Sequence, residues 1–303
     1  MTSRSPNPKT SLPRLRGRAG VGARIAPLLI VGYYLASVLG HLEISLWLVQ
    51  RRESDLLGSY KLADFLPHAG ALLSAAVVIW QSLRARRGSN HALTLAAWAA
   101  WLAAVIAVDR LLIYSFPEYL HYPQYALLAW MIARFVDPDR TAFAIGPVLL
   151  AVTLLGIADE ALQFTWITTS YSNYLDFNDF LLNLLGGIAG LLIYYGFAPG
   201  SWEKWTPGSR IELGMTPARS SALYGIFGFA CLGTAMLLAV AVIYVTSPDP
   251  KHLQPIERQP SYGTWIPGPH AGRYYVLDPV TGTLLLAGLG VLVSAAPIMG
   301  RRN

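Results

Sequence analysis

Apolar runs, most of them about as long as a membrane crossing, alternate with short polar segments from residue 25 to residue 299. A spanning helix needs ~20 mostly apolar residues. Eight stretches meet or approach that length: about 25–49, 65–83, 92–115, 117–136, 141–164, 178–198, 221–246 and 281–299. The breaks between them have local causes. Pro117 cannot continue the third helix, but it suits the first turn of the fourth. Asp137-Pro138-Asp139-Arg140 reads as a tight turn. The segment 247–280 is punctuated by prolines from Pro248 to Pro279, which predicts a stiff, extended or turn-rich loop rather than a helix. The pattern therefore predicts an all-α, polytopic transmembrane helix bundle of about eight spans.

Composition agrees. The chain is 54% hydrophobic and 13% charged, whereas soluble domains carry about 25% charged residues. The net charge of +6 would suggest nucleic acid in a soluble protein, but in a membrane protein Lys and Arg set orientation. With the amino terminus inside, sixteen Lys and Arg fall on the cytoplasmic side and six on the other. This predicts a multi-pass protein of the cell membrane with both termini cytoplasmic. Residues 1–24 are rich in Arg, Pro, Ser and Gly and predict a disordered basic tail able to touch anionic lipid. Cys231 is the single cysteine, so no disulfide or cysteine-based zinc site can form within the chain. Its mid-helix position suits a small apolar filler.

Against this background the polar residues inside the spans stand out. Glu118, His121, Gln124 and Tyr125 lie in the fourth, Asp159, Glu160 and Gln163 in the fifth, and Asp179 and Asn183 in the sixth. On the predicted topology they gather with Asp109 and Arg110 at the external end of spans three to six. Glu118, His121 and Tyr125 are spaced i, i+3, i+7, which is one helix face. Glu160 and Gln163 are i, i+3, and Asp179 and Asn183 are i, i+4. A charge at the centre of a spanning helix costs roughly 2.5–3.5 kcal/mol, so these groups should face one another or a water-filled cleft. Gly186, Gly187 and Gly190 offer a face that lets a neighbouring helix approach closely. His41 and His68 read as packing or interface residues, and the aromatic linker 165–177 as an interfacial anchor.

The order Glu118-x-x-His121-x-x-x-Tyr125-x-x-Leu128-Ala129, then Glu160-x-x-Gln163, then Asp179-x-x-x-Asn183-x-x-Gly186-x-x-x-Gly190 resembles the VanZ-like membrane proteins. The resemblance covers about residues 92–200 as a four-helix domain. Two helices precede it in 25–91, and two follow in 201–303 with the proline-rich loop, placed outside. It implies a role in the cell envelope and, as in the founding member, tolerance to glycopeptide antibiotics, teicoplanin especially. The family carries an Arg between its Glu-x-x-Gln and Asp-x-x-x-Asn helices. Residues 164–178 here hold no Lys or Arg, which makes Arg110 the nearest candidate cation.

The expected ligand-binding set is thus Arg110, Glu118, His121, Tyr125, Glu160, Gln163, Asp179 and Asn183, lining an outward-facing cleft for an envelope lipid or lipid-linked precursor. Alternatives are an intramembrane enzyme using His121 as general acid or base on a lipid-linked substrate, or an accessory subunit docking other membrane proteins through the extra helices. The same polar residues can also serve as a hydrogen-bond network that only fixes packing. No nucleophile motif, phosphate loop or paired metal motif is present, so neither a cofactor nor a metal is expected. Glu118-x-x-His121 is only half of a di-iron motif, although one His with carboxylates can hold a divalent ion.

Overall fold

The computed structural model describes residues 21–51, 54–57, 60–84, 91–169, 172–196, 217–246, 256–268 and 272–299. Most of the basic tail, the loop 197–216 and the first part of the proline-rich loop lie outside the described residues. The chain forms an all-α bundle. Its helices are α1 (Val21–Arg51), α2 (Leu62–Arg84), α3 (His91–Leu111), α4 (His121–Val136), α5 (Ile145–Leu162), α6 (Phe177–Tyr195), α7 (Pro217–Thr246) and α8 (Pro279–Met299). Six of the eight are long and apolar enough to cross a membrane. The exceptions are α2, whose apolar part is confined to His68–Leu83, and α4. The 16 residues of α4 span roughly 24 Å at 1.5 Å each, short of a ~30 Å bilayer core.

α6 is the central helix. Its spanning window is 78% buried against 6% for α1. It packs against α3, α4, α5 and α8, while α7 lies against α5 and α8. The closest approach is to α4, and glycine permits it. A Cβ on Gly186 would sit 2.9 Å from the carbonyl oxygens of both His121 and Tyr122, and Gly190 faces the carbonyl of Ala126 still more closely. The glycine face expected from the sequence therefore seats α4 backbone to backbone. Tyrosines tie α1 to the core, since Tyr33 donates to the Gln124 carbonyl and Tyr34 to that of Leu155, both at 2.9 Å. Trp101 of α3 donates to the Leu185 carbonyl at 2.8 Å. Large apolar side chains on the outer faces of α1, α2 and α3, such as Leu28, Leu72 and Ile106, are exposed, as expected of surfaces that meet lipid. Cys231 is exposed too, on the apolar helix α7.

At the end of the bundle opposite the polar residues, Asp137 organises the α4–α5 turn. Its carboxylate accepts from the backbone N–H groups of Thr141, Ala142 and Phe143 at 2.8, 3.1 and 2.9 Å and from the Tyr195 hydroxyl at 2.8 Å. The turn forces Arg140 and Phe143 to positive φ, 54° and 51°.

Candidate functional site

The C-terminal ends of α3 and α5 and the N-terminal ends of α4 and α6 come together at one end of the bundle. Local sequence sets the approach to each. Ser115-Phe116-Pro117-Glu118 begins a 3-10 turn, Phe116–Leu120, before α4 starts at His121. The Glu118 carboxylate folds back to accept from the backbone N–H groups of Ser115 at 2.8 Å and Tyr114 at 3.0 Å. This is the carboxylate half of a capping box. The end of α5 loosens into a π-helical turn, Gln163–Ile167, a distortion frequent at functional sites. Asp176 caps α6 by accepting from the Asn178 N–H at 2.8 Å.

His121 lies at the centre, 1% exposed. Its Nδ1 is 2.7 Å from Asn183 Oδ1, and an amide oxygen can only accept, so Nδ1 carries the proton. Nε2 then presents its lone pair 3.7 Å from Asp179 Oδ2. Glu160 Oε1 lies 4.0 Å from Nδ1. Asp159 is fully buried and accepts from the Tyr125 hydroxyl at 2.7 Å and from Gln163 Nε2 at 3.0 Å. Gln163 reaches Glu160 only at 3.5 Å. The structure thus unites His121, Tyr125, Glu160, Gln163, Asp179 and Asn183, as the spacing predicts.

Two predicted members stand elsewhere. The Glu118 carboxylate is taken up by the backbone donors of its own turn. Arg110 points away, its side chain 71% exposed and 3.5 Å from Asp109. Asp109 also accepts from the Tyr119 hydroxyl. Two residues outside the predicted set enter it. Asp159 precedes Glu160 and sits beside Tyr125. His41 of α1 packs its ring against that of His121, 5.1 Å between centroids. The i, i+4 spacing of Asp159 and Gln163 was available in the sequence, but nothing local in α1 points to His41.

Residues 256–268 and 272–278 pack at this end and include the antiparallel hairpin β3 (Trp265–Gly268) and β4 (Gly272–Tyr275). Asn178 anchors the hairpin's exit by donating to the Tyr275 carbonyl at 2.9 Å and accepting from the Leu277 N–H at 3.0 Å. Leu175 N–H donates to the Ile256 carbonyl at 2.8 Å. Arg258 stacks over Phe164 with its guanidinium 3.9 Å from the ring centroid. It donates to the carbonyls of Phe164 and Ser172, both at 2.6 Å. The cation that meets the α5–α6 linker is therefore Arg258, supplied by the proline-rich loop. The run Pro267-Gly268-Pro269-His270-Ala271-Gly272 between aromatic pairs is the sequence signal for this hairpin. Burial and the neighbouring Asp176 push the Glu118 carboxyl up to about 8, and burial pushes Asp176 up to about 6.

Comparison of the chain with protein families, curated proteins and solved structures gives no match.

Proposed function

We propose that this chain is a VanZ-like integral membrane protein of the cell envelope, with both termini cytoplasmic and its polar centre at the external end. There it engages the head group of an envelope lipid or lipid-linked precursor and so influences tolerance to glycopeptide antibiotics. The observation that carries the proposal is the convergence of His121, Glu160, Asp179 and Asn183 from three helices into one buried centre. Ionisable groups held inside a membrane bundle are costly, and function is the usual reason for keeping them. Among the described residues no Lys or Arg forms an ion pair with Asp159, Glu160 or Asp179, so the centre suits a cationic partner. The excess of Lys and Arg on the opposite loops supports the outward placement. The exposed apolar faces of α1 and α2 give a surface against which membrane lipids, or other membrane subunits, pack.

A second reading, an enzyme acting on a lipid-linked substrate, is favoured by one detail. The Asn183 contact leaves Nε2 of His121 unprotonated and buried, the state a general base requires.

The test is expression of the wild type, Glu160→Gln and Asp179→Asn in a teicoplanin-sensitive host at matched membrane levels. The wild type is expected to raise the inhibitory concentration and both variants to lose that effect. Full tolerance in either variant refutes the assignment of this centre as the working part. Turnover of a lipid-linked substrate that His121→Ala abolishes would select the enzymatic reading.

A further inference from the structure

We propose that the centre is a divalent-cation site, with His121 Nε2, Glu160 and Asp179 as protein ligands and Asn183 as the group that orients the imidazole. One ligand atom from each of the three residues lies within 4.8 Å of the others. The separation of His121 Nε2 from Asp179 Oδ2, 3.7 Å, is too long for a hydrogen bond. It fits two ligands on one ion, each at about 2.0–2.2 Å.

The protonation pattern argues the same way. With its proton on Nδ1 and bound to Asn183, His121 aims a lone pair at the Asp179 carboxylate, so two acceptors face each other. A hydrogen bond from one imidazole nitrogen that fixes the tautomer is the arrangement metal-binding histidines use. One further observation points the same way. Asp179 Oδ1 is buried without a hydrogen bond among the described residues. Unpaired buried polar atoms are rare and costly in folded proteins. Asp159, by contrast, has both oxygens engaged, so it is not among the proposed ligands. One imidazole with two carboxylates suits Mn²⁺, Fe²⁺ or Zn²⁺. Three protein ligands leave coordination positions free, and an ion there converts an acidic centre into one that accepts an anionic oxygen such as a head-group phosphate. That last role rests on the head-group reading above, whereas the ion site itself stands on the geometry alone.

The experiment uses the full chain in lipid nanodiscs, stripped with chelator and titrated with Mn²⁺ under electron paramagnetic resonance and with Zn²⁺ by calorimetry. One equivalent of at least one of these ions is expected to bind, with the affinity lowered at least about tenfold in Asp179→Asn and Glu160→Gln. Binding of neither ion by the wild type overturns the proposal, as does unchanged affinity in both variants. If a variant does not fold, the wild-type Mn²⁺ complex decides alone. Nitrogen coupling from a bound imidazole in its electron spin echo spectrum supports the site, and its absence refutes it. Loss of antibiotic tolerance in the two variants without ion binding by the wild type overturns the ion and keeps the head-group reading. Ion binding with tolerance intact in the variants does the reverse.

Discussion

Replacing Gly186 by alanine tests how the α4–α6 contact builds the centre. The new methyl group would lie 2.9 Å from the carbonyl oxygens of His121 and Tyr122 and 2.9 Å from Tyr125 Cβ. Ordinary contact begins near 3.4 Å, so α4 must retreat by about 0.5 Å. Two of the three neighbours are backbone atoms and cannot rotate aside. Overpacking of this kind costs about 1–3 kcal/mol, while alanine in a helix interior returns up to about 1 kcal/mol relative to glycine. The net expectation is a loss of up to about 2 kcal/mol, up to a thirtyfold fall in the folded ratio. His121 rides on α4 and Asn183 on α6, so the same displacement stretches their 2.7 Å contact and loosens the centre. Thermal unfolding in detergent, followed by tryptophan fluorescence, reads the effect. Trp101 bonds to the Leu185 carbonyl beside the mutated position and reports locally. Gly288→Ala is the control, since a Cβ there meets nothing within 4 Å, and it should be neutral or stabilising. If Gly186→Ala melts with or above Gly288→Ala, the backbone-to-backbone seat is not what positions α4.

Asp137→Ala removes an acceptor from three backbone donors and one hydroxyl in a buried turn. A loss of about 3–5 kcal/mol is expected, measured as a lowered unfolding midpoint, and an unchanged midpoint would discount the network. Arg258→Ala frees the two carbonyls at the α5–α6 linker, charge-assisted bonds worth about 1.5–3 kcal/mol each. Hydrogen exchange at Leu175 and Leu277 should accelerate by at least about tenfold, and equal protection would show that the covering segment holds without this residue. For Glu118, the folded carboxyl titrates near 8 and the reference value is 4.5. The folded state therefore holds the proton more tightly, and the stability this group contributes below pH 4.5 is lost as pH rises through 8. Unfolding midpoints across pH 5 to 8 should decline less steeply in Glu118→Gln than in the wild type, and parallel profiles would contradict the assignment.

Local pattern determined the class of this protein. Apolar run length marks the eight helices, because the cost of an unsatisfied backbone in hydrocarbon acts on each segment by itself. Helical spacing likewise placed His121, Tyr125, Glu160, Gln163, Asp179 and Asn183 on faces able to converge, and the glycines of α6 announced a close neighbour. Spacing is a short-range quantity, however, and it does not say which partner a side chain takes. In the 3-10 turn after Ser115 the Glu118 carboxylate goes to the backbone N–H groups of Tyr114 and Ser115. It was also silent about partners distant in the chain. His41 joins the centre from 80 positions before His121, and Arg258 meets the α5–α6 linker from 94 positions beyond Phe164. Only the packing of α1 against α4 and the return of the hairpin over the α5–α6 linker bring these residues in, and both depend on contacts that no window of neighbouring residues contains.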